Sequence, residues 1–114
     1  MSKSFIVGAY ASLPDERKHN DYYQILGQQD WIDGIEIPYP GVIKDNATAF
    51  AKVLPEHWTT NTITAIPGTM QNVWKEPHFG LASAEKSGRE AALDFCEGIR
   101  RSVAELNTAT GRNS

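Results

Sequence analysis

A chain of 114 residues, 40% hydrophobic and 22% charged, fits one globular domain spanning residues 1–114 and is not a disordered segment. Its net charge of −3 and scattered Lys and Arg, paired only briefly as in Arg17-Lys18 and Arg100-Arg101, exclude a basic stripe for nucleic acid. One cysteine, Cys96, excludes an intrachain disulfide and a cysteine-built zinc site.

Along the chain, SFIVGAY at residues 4–10 is apolar on both faces and predicts a first strand. The run is too short to cross a membrane and lacks a signal-peptide cleavage pattern, so no membrane partner is expected and the cytoplasm is the expected compartment. Asn20 is placed to cap a short helix carrying Tyr22, Tyr23, Ile25 and Leu26. DGIEIPY at residues 33–39 follows an Asp-Gly turn signal and predicts a second strand. Asn46 then caps a helix with Ala47, Phe50, Ala51 and Leu54 at helical spacing, ended by Pro55. The β-branched NTITAIPG, residues 61–68, predicts a third strand stopping at Pro67-Gly68. Residues 67–83 are expected to form a long connection. A last helix carries one apolar stripe of Ala92, Phe95, Cys96, Ile99, Val103 and Leu106. Ser87 and Glu90 have capping-box spacing at its start, and Gly111 follows its end.

The predicted order is β-α-β-α-β-loop-α, with parallel strands near 4–10, 33–39 and 61–67. Gly8, Glu36 and Thr64 stand at equivalent places, 28 residues apart. One parallel βα unit takes about 30 residues, so the class is α/β with a parallel sheet. Right-handed crossovers place every helix on one face. Three strands leave the other face bare unless the sheet closes or a partner covers it. A closed (β/α)8 barrel takes about 250 residues, so the chain is expected to be a (βα)3 portion of such a fold.

The stretches FIVGAYASLP, WIDGIEIPYPG, ITAIPGTM and HFGLAS resemble the N-terminal portion of xylose-isomerase-like TIM-barrel proteins, and within them an uncharacterised bacterial family. The strand Asp33 to Ile37 resembles the second strand of sugar phosphate isomerases and epimerases, where a glutamate stands between hydrophobic residues. The resemblance implies divalent-metal-assisted isomerisation or epimerisation of a sugar in a complete barrel. It also implies that the metal ligands come from later strands. A histidine that some relatives carry near the end of the third strand is replaced here by Ile66-Pro67-Gly68-Thr69. No cofactor or metal site is therefore expected in this chain alone.

Glu36 is the first candidate for catalysis. Ile35 and Ile37 share one face of the strand, so Glu36 points to the other, near the carboxyl end where barrel active sites lie. The competing reading is a structural or solvated carboxylate. Tyr10 and Tyr39, at strand ends, are candidates for binding a sugar-like ligand by hydroxyl and ring, against ordinary half-buried packing. In the 67–83 connection, Trp74 is a candidate binding residue and His78 a candidate acid or base, against a self-packed loop with a solvated histidine. His19 reads as solvated in a polar loop, His57 as part of a turn at the opposite end, and Cys96 as a small core residue. No glycine-rich phosphate loop follows any strand. Two functions compete: a sugar isomerase- or epimerase-like barrel portion, incomplete by itself, and a non-catalytic α/β module that self-associates or pairs with a complementary chain.

Overall fold

Apolar and β-branched residues pair as short parallel strands in the computed structural model, which describes residues 3–112. β1 is Ile6–Val7, β2 is Gly34–Pro38 and β3 is Thr62–Thr64, in the spatial order β1-β2-β3. Four α-helices follow the strands among the described residues: α1 (His19–Gly27), α2 (Ala47–Ala51), α3 (Ile66–Lys75) and α4 (Lys86–Thr110). The result is an open α/β sheet built in the (βα)3 order.

Ile6 stands beside Gly34 and Val7 beside Ile35, while Glu36, Ile37 and Pro38 stand beside Thr62, Ile63 and Thr64. Thr62 thus takes the place next to Glu36 that the 28-residue spacing assigned to Thr64. A slip of two residues leaves every side chain on its expected face. The outer strands are shorter than predicted. After Val7 the chain tightens into a 3-10 turn at Ala9–Ser12, and Ile66 opens a helix instead of extending β3.

Side-chain alternation puts Val7, Ile35, Ile37 and Ile63 on one face. Ile35 and Ile37 are buried there in one core with Tyr23 of α1, Ala47 and Phe50 of α2 and Leu106 of α4. Full burial of each such aliphatic side chain contributes about 1.5–3 kcal/mol. The helices therefore cover the isoleucine face. The alternate face carries Gly8, Glu36, Thr62 and Thr64; it is open around Glu36, where Gly8 and Thr62 are exposed and Glu36 between them is half-buried, while Thr64 farther along is buried.

Two side chains finish the ladders where backbone pairing stops. The Phe5 N–H donates to Asp33 Oδ2 at 2.7 Å, and the Asp33 N–H donates to the Phe5 carbonyl at 2.9 Å. Asn61, buried at 2% exposure, accepts the Ile35 N–H on its Oδ1 at 3.1 Å. At the other end of the sheet, the Tyr39 N–H donates to the Thr64 carbonyl at 2.9 Å.

The segment expected to be a long loop is mostly helix. Pro67 lies in the first turn of α3, where its missing N–H costs nothing, and the Ile66 N–H donates to Thr64 Oγ1. A proline that ends a strand suits the first turn of a helix equally well. Helix α4 begins at Lys86 with Glu85 at its N-cap and no side-chain cap bond, so Ser87 and Glu90 do not form the expected capping box. Gly111 ends it with a φ of 69°, a left-handed conformation that favours glycine. Cys96 is exposed rather than in the core. His19 opens α1, and its Nε2 lies 2.9 Å from the Pro14 carbonyl, so it is tied down rather than solvated. No helix among the described residues is long and apolar enough to cross a membrane.

Candidate functional site

Two surfaces meet near the carboxyl end of β2, and they lie on opposite sides of the sheet. On the open face, Glu36 has Gly8 as its neighbour on β1, where the absent side chain leaves room. A Cβ placed on Gly8 would stand 3.7 Å from Glu36 Oε2. No side chain among the described residues bonds or pairs with the Glu36 carboxylate within hydrogen-bond or ion-pair distance. Its position follows from strand alternation and from Pro38, which ends β2 two residues later.

The second surface is a cleft of about 540 Å³ between the segment that leaves β2, helix α3 and helix α4. Tyr39 forms its floor. One residue beyond Pro38, Tyr39 falls on the isoleucine side, so its ring lies under the helices at 5% exposure. It meets the Phe95 ring edge-on at 5.4 Å, and Phe79 meets Phe95 at 5.7 Å. Two glycines make this approach sterically feasible. A Cβ on Gly68 of α3 would lie 2.5 Å from the Tyr39 carbonyl oxygen, and one on Gly98 of α4 would lie 2.5 Å from the Tyr39 hydroxyl. Lys44, Gln71, Lys75 and Asp94 stand around the rim.

The five residues singled out from sequence are not brought together. Glu36 faces the open sheet side and Tyr39 the helices. Tyr10 lies in the 3-10 turn after β1, half-buried. Trp74 is 77% exposed on α3. His78 is exposed in the segment between α3 and α4, where its backbone N–H donates to Glu76 Oε1 at 3.4 Å. That segment is held by contacts invisible in the sequence. Arg89 donates through Nη1 to the carbonyls of Ser83 and Ala84 at 2.7 and 3.0 Å, and Phe79 turns inward onto Phe95. The rim residues of the cleft, Lys44, Gln71 and Lys75, carried no sequence signal, because each is an ordinary polar residue until α3 forms and faces α4.

Electrostatic coupling is strongest elsewhere. On the exposed side of α4, side-chain bonds from Arg100 and then Arg101 hold the Glu97 carboxyl down at about 2. Burial, with Tyr22 close by, raises the Tyr23 hydroxyl above its ordinary value. The divalent metal implied by the sugar-isomerase resemblance needs several oxygen or nitrogen ligands converging on one point. Among the described residues no three His, Cys, Asp or Glu side chains gather in that way, so the residues present do not fit such an ion.

The sequence matches the family described as "Domain of unknown function (DUF4862)" over residues 6–114. No curated protein matches the chain, and no solved structure does.

Proposed function

The chain belongs to that DUF4862 family, and from this premise and the open parallel sheet we propose that it supplies a (βα)3 segment of a sugar isomerase- or epimerase-like barrel. The single observation that carries the reading is the placement of Glu36, half-buried on the sheet face opposite the isoleucines, two residues before β2 ends at Pro38. Closing the sheet with further strands would turn that face into a barrel interior, with Glu36 two residues from the end where such barrels do their chemistry. A carboxylate enclosed there acts as an acid or base toward a sugar hydroxyl, or faces a cation contributed by the other strands. The test is sugar isomerisation and epimerisation with Mn²⁺, Co²⁺ or Mg²⁺ added, with mass followed by light scattering. We expect no turnover by the monomer, and turnover confined to an assembled species and abolished by Glu36→Gln. Turnover by the monomer, or turnover indifferent to Glu36→Gln, would refute the proposal.

A second reading is favoured by a specific feature of α3. Ile66, Met70 and Trp74 recur every four residues and are 67%, 46% and 77% exposed, forming one apolar stripe along the helix. Such a stripe suits a non-catalytic module that pairs with another chain. A chain that stays monomeric at high concentration by sedimentation would speak against it.

A further inference from the structure

The cleft above Tyr39 has the makings of a ligand site separate from the Glu36 face. Tyr39 is 95% covered, since its exposure is 5%. Its hydroxyl makes no hydrogen bond to the described residues, and it is not among the side-chain polar atoms sealed from solvent without a partner. Tyr39 and Gly98 both line the cleft. A phenol whose ring is buried and whose hydroxyl keeps solvent access without a protein partner has that hydroxyl available to a bound group. The absent side chain at Gly98 keeps the space at this oxygen free.

The rim has the same character. Lys44, Gln71, Lys75 and Asp94 all line the cleft, and none has a side-chain hydrogen bond or ion pair among the described residues. Glu76 is partly engaged, because its Oε1 accepts the His78 N–H. Two ammonium groups, of Lys44 and Lys75, and two carboxylates, of Asp94 and Glu76, therefore line the same cleft as the Gln71 and Asn72 amides and the Tyr39 phenol, so charged donors and acceptors are both on offer. The walls behind them, Phe79 and Phe95, are apolar and edge-packed. A volume of about 540 Å³ falls inside the range of roughly 300–1,000 Å³ typical of small-molecule sites.

We propose that this cleft binds a small hydroxylated organic anion. Its acid group, a carboxylate or a phosphate, sits between Lys44 and Lys75. A hydroxyl or carbonyl oxygen accepts from Tyr39, another hydroxyl donates to Asp94, and the carbon skeleton lies against Phe79. The two lysines supply charge-assisted bonds, the stronger kind. Tyr39 and the aromatic wall set how deep the ligand enters. This site stands independently of the proposed role of Glu36.

The test is a titration of the full chain followed by amide NMR, with three probes: inorganic phosphate, malate and neutral glycerol. The expected result is saturable shifts confined to residues 39–44, 68–79 and 91–98, with a dissociation constant of about 1 mM or tighter for phosphate or malate. Glycerol should give none. Response to phosphate alone assigns a phosphate-bearing ligand, and response to malate alone a hydroxy acid. Tyr39→Phe keeps the ring in the core and loses only the hydroxyl, and it should weaken malate binding about fivefold. Lys44→Ala combined with Lys75→Ala should weaken either anion by at least about tenfold. Lys18→Ala, in the 3-10 turn before α1 and outside the cleft lining, should change nothing. Absence of saturable binding by both anions, shifts spread over all lysines, or full affinity in the double lysine variant would overturn the proposal.

Discussion

Replacing Asn61 by alanine tests how the sheet is aligned beneath Glu36. Asn61 Oδ1 is the acceptor for the Ile35 N–H at 3.1 Å, and both residues are 2% exposed. Alanine removes the acceptor, so a backbone donor is left unpaired in the core. That costs about 1–3 kcal/mol, and we take about 2 kcal/mol as the central value. For a domain of this size each kcal/mol moves the melting temperature by roughly 3–6 °C, so Asn61→Ala should melt roughly 6–12 °C lower. Urea denaturation gives the free energy, and hydrogen exchange locates it. The Ile35 amide should lose more protection than the global drop accounts for. The Tyr39 amide, bonded to the Thr64 carbonyl at 2.9 Å, should lose only the global part. A loss below about 0.5 kcal/mol with unchanged Ile35 protection would show that the N–H finds another partner, and the reasoning would fail.

Two further outcomes are expected. Gly98→Ala gains about 1 kcal/mol of helix propensity but brings a Cβ to 2.5 Å from the Tyr39 hydroxyl. Overpacking against a buried ring costs about 1–3 kcal/mol, so the variant should be net destabilised. Tyr39→Phe removes the clashing oxygen, and the pair should therefore be non-additive by about 1 kcal/mol or more in a double-mutant cycle; simple additivity would contradict the geometry. Glu97, held at about 2 in the folded chain against an ordinary 4.5, binds its proton more weakly folded than unfolded. It therefore contributes stability above about pH 4.5 that is lost as the pH falls through 2. The melting-temperature difference between the wild-type chain and Glu97→Gln should be present at pH 6 and shrink across that window. A difference that stays constant down to pH 2 would exclude the coupling.

Where sequence and structure agree, the reason is periodicity. Ile35 and Ile37 flank Glu36 at alternating positions, so the face each takes is a local property of an extended chain. The last helix was legible for the same reason, through its stripe ending at Leu106 and the glycine at 111. The connection after β3 was not legible, because Pro67-Gly68 suits a turn and a helix start equally well. What favours the helix is the glycine-sized gap that lets Gly68 approach Tyr39 and Phe95. Likewise Asn61 looked like one more polar residue in a strand, and its role depends on Ile35, 26 positions away.

The amino-acid sequence by itself determined the α/β class, the three parallel strands and the outward turn of Glu36 from the isoleucine face, because these follow from spacing along a single stretch of chain. Only the tertiary structure decided that Tyr39 lies under the helices, that α3 walls a cleft with α4, and that Lys44, Gln71 and Lys75 stand around it. Those residues come from segments far apart in the chain. Their convergence depends on how closely the helices can approach, which is a matter of packing and not of pattern.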